Sequence, residues 1–437
     1  MNVKINFDEK IGAIKPMHGV GQPPFFGTNF SMFRYLKDAG IPYSRLHDVG
    51  GPYGGGRWVD IPNLFRDFEA DPYDESSYDF TFTDLLISAL MENGVEPFFR
   101  LGVTIETSVK IKHYRISPPK DFQKWAVICE HVIRHYTEGW ADGFKYDIKY
   151  WEIWNEPDNS DLLIENQMWQ GTAEQFYELY DVASRHLKKC FPHLYIGGYA
   201  SCGFYALTDT YQSLSLSRSR VQYFMDFFNN FLAYIKKTGA PLDFFSWHTY
   251  DDNIENNKVY AKYARQRLDE EGFEKTLVSV NEWNSKIAKR GTAEHAAHVM
   301  SIMLIFQELP IDMAMFYDAR CGTSLYGSLF SPLDKLPFPA YYSFVAFNEL
   351  YKRGTQVRIC SDIPDGLYAI AAAAEKDGCI VIANTLEEDT PLELDAELQV
   401  TECRIICDGK NLEAAQLGGI IPKNSVMLIK VSKRSNA

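Results

Sequence analysis

The sequence predicts an α/β chain: a (β/α)8 TIM-type barrel followed by a small C-terminal antiparallel β-sandwich. Three observations carry this reading. Eight short apolar runs, each closed by polar residues, alternate with longer stretches of helical period, the pattern of parallel βα units. After Gly354 the texture changes to short β-type runs punctuated by Asp-Gly pairs. The length of 437 residues, with 46% hydrophobic and 23% charged, suits one barrel-sized globular domain and a smaller companion.

The elements follow in order. Candidate strands are Met17 to Val20, Tyr43 to His47, Val95 to Leu101, Ile148 to Trp154, Leu194 to Tyr199, Asp243 to His248, Thr276 to Glu282 and Ile311 to Tyr317. Between and after them lie helix candidates: Ser31 to Ala39, Thr83 to Asn93, Asp121 to Tyr136, Thr172 to Cys190, Val221 to Lys237, Lys258 to Glu271, Thr292 to Glu308 and Pro339 to Tyr351. Asn93-Gly94 and Thr238-Gly239 supply helix stops. A doubly wound open sheet would need a Gly-rich phosphate turn after its first strand, and Met17-His18-Gly19-Val20-Gly21 is a poor match with no acidic partner. The barrel is expected over residues 15–353 and the β domain over 354–437. Its strands are expected at Val357 to Cys360, Leu367 to Ala374, Cys379 to Asn384, Glu402 to Cys407 and Ser425 to Val431, with turns at Asp365-Gly366, Asp377-Gly378 and Asp408-Gly409. The alternation Val3, Ile5, Phe7 makes residues 1–14 a candidate extra strand of the same sheet.

Charge narrows the function classes. Lys plus Arg number 44 against 58 Asp plus Glu, a net charge of −14, so nucleic acid and anionic membrane are poor partners. The opening MNVKINFDEK has no basic segment followed by an apolar stretch, and no apolar run approaches the ~18 residues of a membrane span. A cytoplasmic location is expected. Eight cysteines, at 129, 190, 202, 321, 360, 379, 403 and 407, show no Cys-x-x-Cys pair and no His-Cys cluster at zinc spacing. They read as reduced, mostly buried thiols, and neither metal nor cofactor is expected.

In a parallel barrel the chemistry sits where the strands end. The fourth strand, Ile148-Lys149-Tyr150-Trp151-Glu152-Ile153-Trp154, ends in Asn155-Glu156-Pro157-Asp158, and the seventh ends in Asn281-Glu282-Trp283-Asn284. Two carboxylates at one barrel mouth form the paired acid and nucleophile that glycoside hydrolysis requires. His47, Arg100 and Asp318 end or follow other strands and are candidate pocket residues; Trp58, Trp247 and Trp283 are candidate stacking faces. The run Gly50 to Gly56 lacks the Lys-Ser or Lys-Thr of a phosphate cradle and reads as a loop at the mouth; Gly50 to Trp58, or the segment Asp318 to Ser331, is expected to form the wall of a closed pocket.

The motifs Trp151-Glu152-Ile153-Trp154-Asn155-Glu156-Pro157-Asp158 and Asn281-Glu282-Trp283-Asn284 resemble those of glycoside hydrolase family 39. That is a family of β-xylosidases and α-L-iduronidases within the clan of retaining barrel glycosidases. Ile14 to Gly19, Arg45-Leu46-His47, Tyr78-Asp79-Phe80, Gly94 to Phe98 and Ser246-Trp247-His248-Thr249-Tyr250 add to the resemblance, which runs over the whole barrel. It implies Glu156 as general acid/base and Glu282 as nucleophile. A carboxyl between Trp154 and Pro157 is expected to be desolvated and raised in pKa, as an acid needs, while His248 and Tyr250 are placed to keep Glu282 ionised. Asn155 is expected to hydrogen-bond the sugar 2-hydroxyl. Familiar xylosidases carry a Trp at the end of strand eight and an acidic residue near the end of strand three, where this chain has Phe316-Tyr317-Asp318 and Phe99-Arg100-Leu101. The expected activity is therefore exo-acting release of terminal sugars, a β-xyloside or a related pentoside or galactoside, from small oligosaccharides by double displacement. Arg100 is also placed to receive an acidic sugar. The alternatives are an endo-acting or transglycosylating enzyme of the same clan, or a carbohydrate-binding barrel without catalysis. The sequence leaves the oligomeric state open.

Overall fold

The computed structural model describes residues 1–27, 30–47, 58–104, 116–322, 324–375, 377–395 and 398–433. Eight parallel strands close into a barrel: Gly19–Gly21, Tyr43–Leu46, Glu96–Leu101, Tyr150–Ile153, Tyr195–Ser201, Phe244–Thr249, Leu277–Trp283 and Met313–Tyr317. Each overlaps an expected strand. Four of the helices between them begin on side-chain caps: Asp121 accepts from the Lys124 amide, Ser217 from Arg220 and Thr292 from His295, and Thr172 forms a capping box with Gln175. Gly239, at φ 72°, closes the helix Arg218–Thr238 in the left-handed conformation that glycine adopts freely.

The chain divides into two compact units, one of residues 20–34 and 43–283, the other of 1–19, 35–42 and 284–437. In the first unit, period two along each strand builds the barrel lumen. The inward residues Tyr43, Phe98, Tyr150 and Phe244 meet as an aromatic layer, with Phe98 5.5 Å from Tyr150 and 5.1 Å from Phe244, and Tyr43 5.6 Å from Tyr150. Two residues further along, the same faces present Arg45, Arg100, Glu152 and Ser246. The lumen thus turns from apolar to charged toward the strand ends.

In the second unit an antiparallel sheet of seven strands runs in the order Lys410–Ala414, Leu398–Cys407, Ser425–Lys433, Asp377–Asn384, Leu367–Ala374, Thr355–Ile359 and Ile5–Ala13. One face, with Ile380, Ile382, Ile405, Met427 and Ile429, packs beneath Val3, Leu392 and Ile421, which come from or adjoin two short two-stranded ladders. The other face meets the helices Ala293–Glu308 and Pro339–Arg353. The Asp377-Gly378 turn is corrected: both residues pair within the strand, opposite Ala374 and Ala373. Gly378 is small because a Cβ there would lie 2.6 Å from the Phe7 ring. All eight cysteines are free; Cys129, Cys202, Cys379 and Cys403 are buried, Cys190, Cys321 and Cys407 half-buried and Cys360 exposed.

Candidate active site

Glu152 lies inside the fourth strand with no exposure, where an unpaired carboxylate would be costly. Arg45 resolves this. From the second strand its Nε donates to Glu152 Oε2 at 2.7 Å, its Nη1 to Glu282 Oε1 at 2.7 Å and its Nη2 to Asn155 Oδ1 at 2.6 Å. The other oxygen of Glu152 accepts from Ser246 Oγ at 2.5 Å and Asn281 Nδ2 at 2.5 Å. One planar guanidinium therefore ties strands two, four and seven, as lysine with its single nitrogen cannot. Burial opposes the Arg45 charge, but Glu152 and Glu282 outweigh it and raise the pKa. Because Arg45 can only donate, Asn155 presents oxygen to it and keeps its Nδ2 as the donor end.

Beyond Ile153 the backbone leaves the strand. Trp154 at φ 72° and Glu156 at φ 45° both occupy the left-handed region, a conformation that costs a non-glycine residue about 1–3 kcal/mol. It is held from both sides. The Trp154 amide donates to Leu101 O at 2.8 Å and the Glu156 amide to Ala200 O at 3.0 Å. Trp154 packs with Trp125 and Trp169 and donates its Nε1–H to Met168 O at 2.9 Å.

Glu156, His248 and Glu282 each place one polar atom within 4.8 Å of the others. His248 Nδ1 lies 2.7 Å from Glu156 Oε1 and 3.5 Å from Glu282 Oε2. Tyr250 donates its hydroxyl to Glu282 Oε2 at 2.6 Å. Glu156 Oε2 accepts from Asn159 Nδ2 at 3.1 Å, and Asn159 is itself gripped by Arg220, which donates to its carbonyl at 2.7 Å and to its Oδ1 at 3.0 Å. Asp158, buried nearby, accepts from Ser201 Oγ at 2.7 Å, and burial pushes its carboxyl up to about 7.

The expected rise of the Glu156 pKa is corrected by the groups around it. Burial pushes the Glu156 carboxyl up, but His248, Asn159 and Arg45 outweigh it and leave it below the ordinary glutamate value. Glu282 stays above that value: burial dominates and repulsion by Glu156 adds to it, against the pull of His248, Arg45 and Tyr250. Burial lowers His248, yet the two carboxylates carry it above the ordinary histidine value. Between His248 and Glu156, which share one hydrogen bond, the proton therefore favours His248. Groups this close titrate as a set.

The six other expected pocket and stacking residues have different surroundings. Arg100 is enclosed, and its Nη2 pairs with Asp60 at 2.6 Å and donates to His47 O at 2.8 Å, so that this nitrogen braces the chain after strands two and three. The side chain of Trp283 has no exposure, as has that of Trp247, and neither offers an open stacking face. Trp58 stacks on Phe82 at 5.4 Å. In the other unit Asp318 is fully enclosed and saturated by its own loop: Arg320 Nε donates at 2.9 Å and Ser324 Oγ at 2.7 Å. His47 is buried, with its carbonyl accepting from Thr104 Oγ1 at 2.9 Å. Residues 50–57 of the expected mouth loop lie outside the described residues. Arg45, Glu152, Asn159, Ser246 and Arg220 were not among the expected site residues. A signal for the first two was present: a charged residue at an inward position of a short apolar strand.

Comparison with known proteins places the chain in a family. The family model described as glycosyl hydrolases family 39 matches residues 55–306. A β-xylosidase of Geobacillus stearothermophilus is 22% identical over 343 residues, 68% of this chain, and the match spans 61% of that enzyme's length. One from Caldicellulosiruptor saccharolyticus is 24% identical over 431 residues, 88% of this chain and 78% of the enzyme. Among solved structures, a glucosidase from Croceicoccus marinus superimposes with a TM-score of 0.78 at 21% identity, covering 99% of both chains. A monomeric β-xylosidase from Caulobacter crescentus gives 0.70 at 17% identity, covering 99% of this chain and 100% of the other. With a match over more than half its length, and two glutamates meeting at the ends of strands four and seven, the chain belongs to glycosyl hydrolases family 39.

Proposed function

We propose that the chain is a retaining, exo-acting glycoside hydrolase that removes terminal sugars, β-xylosides or related pentosides or galactosides, from small oligosaccharides. Glu282 attacks the anomeric carbon to form a glycosyl ester while Glu156, as acid, gives its proton to the departing oxygen. Glu156 then takes a proton from the water that attacks the ester, and two inversions leave the configuration retained. The observation that carries this reading is the spacing. Oxygens of Glu156 and Glu282 lie within 4.8 Å, in keeping with the roughly 5–5.5 Å carboxyl separation of retaining enzymes and short of the roughly 6.5–9.5 Å that an inverting enzyme keeps for its water.

The unequal donor sets support the division of roles. Glu282 receives a permanent cation, Arg45, and a phenol, Tyr250, which favour its ionised form against the burial that holds its pKa up. Glu156 faces His248 at 2.7 Å, so the acid can be charged by proton transfer along one hydrogen bond as substrate displaces the resting arrangement. Asn155, with its Nδ2 as donor, is the group for the sugar 2-hydroxyl. The β-xylosidases among the relatives support a xyloside first. No helix of the described residues is long and apolar enough to cross a membrane, and we place the enzyme in the cytoplasm, acting on a carbohydrate partner.

A panel of aryl glycosides tests the reading. At least one pentoside or galactoside is expected to turn over, Glu282→Ala to be inactive, and Glu156→Ala to regain activity with azide, giving a glycosyl azide of retained configuration. An inverted azide from Glu156→Ala would exchange the two roles, and mixed internal fragments from a polysaccharide would make the enzyme endo-acting.

A further inference from the structure

The helices Phe122–Thr137 and Ala173–Cys190 bring together three groups that the catalytic reading does not use. His186 and Cys190 are four apart on the last turn of the second helix and so share one face. Glu130 comes from the first helix. His186 Nε2 lies 2.6 Å from Glu130 Oε2 and 3.9 Å from Cys190 Sγ, and the three atoms all fall within 4.8 Å of one another. We propose that Glu130, His186 and Cys190 form a binding site for a divalent ion of the zinc class, with a water completing four-coordination.

The donor set, one thiolate, one imidazole and one carboxylate, is the mixture that zinc and cobalt(II) accept. Bonds of about 2.0–2.3 Å at tetrahedral angles require the histidine and carboxylate atoms to stand about 3.4 Å apart and the nitrogen and sulfur about 3.6 Å. The cluster is thus nearly spaced for an ion, which takes the place of the proton now shared between His186 and Glu130. The supporting contacts fit as well. Arg134 Nε holds the other carboxylate oxygen of Glu130 at 2.7 Å, leaving Oε2 for the metal. The Gln123 side-chain amide lies 2.9 Å from His186 Nδ1; turned oxygen-inward, it accepts the Nδ1–H and fixes the tautomer that ligates through Nε2. Cys190 is the last helical residue, where the negative end of the helix dipole favours a cation. The side chains of His186 and Glu130 retain 19% and 12% exposure, enough for entry of an ion. Glu130 lies 56 residues from His186, so no local sequence pattern marks the set.

Such an ion would staple the two helices that precede and follow the fourth strand without touching the reaction. The test is titration of the chelator-treated protein with Co2+, read in the visible and near ultraviolet. One equivalent is expected to give intense tetrahedral bands and a thiolate-to-cobalt charge-transfer band, and Zn2+ to abolish both. Cys190→Ser is expected to remove the charge-transfer band, and His186→Gln and Glu130→Gln each to weaken binding at least about tenfold, all with glycosidase turnover unchanged. The Glu156, His248 and Glu282 group offers no thiolate, so an ion held by those residues alone would lack the charge-transfer band. No thiolate band in the unaltered protein, or a band and affinity indifferent to Cys190→Ser or His186→Gln, would overturn the proposal.

Discussion

Arg220 reaches Glu156 only through Asn159, yet it fixes both the carbonyl and the side-chain oxygen of that residue and so aims the amide at Glu156 Oε2. Asn159→Ala is expected to slow substrates with poor leaving groups about tenfold, those with good leaving groups hardly at all, because only the former need the acid. It should also move the alkaline limb of the pH–rate profile upward, since Glu156 loses a donor that holds its pKa down; equal slowing of all substrates with an unmoved limb would make the contact merely structural. His248 acts on both carboxylates, lowering each. Its removal in His248→Ala therefore raises both, and the whole bell-shaped profile should shift to higher pH; a shift to lower pH would contradict the assignment. The two glutamates were legible in sequence because each ends an apolar strand. Asn159 was not marked out, because what makes it functional is Arg220, 61 residues away.

Between elements, the Arg45 fork is the main polar tie of the barrel mouth, joining strands two, four and seven through Glu152, Asn155 and Glu282. Arg45→Met leaves two buried carboxylates without their cation and should cost about 3–5 kcal/mol of stability, measurable by denaturant unfolding, along with most of the activity. A loss below about 1 kcal/mol would mean that Ser246 and Asn281 satisfy Glu152 unaided. The barrel strands and helices were readable mainly from period, helped by the Gly, Asp or Asn that follows five of the eight apolar runs. Less was readable in the antiparallel sheet. Lys410–Ala414, with only Leu412 buried, has no apolar face to signal a strand, and the role of Gly378 depends on Phe7, a residue far earlier in the chain.

At the scale of the whole molecule, the acidic balance of −14 and the family match agree on a carbohydrate-directed role, while the sugar itself is set by a mouth whose departures the sequence did flag. Arg100 and Asp318 stand where familiar xylosidases differ, and both are occupied by their own ion pairs, with Asp60 and Arg320. Trapping with 2-deoxy-2-fluoro aryl pentosides and galactosides, followed by peptide mass spectrometry, bears most directly on the central claim. The fluorine slows hydrolysis of the glycosyl ester so that the ester accumulates. One sugar is expected on the peptide carrying Glu282, and none on Glu282→Gln. Steady turnover of the parent glycoside with an inverted product and no labelled peptide, or a label on Glu156, would contradict it.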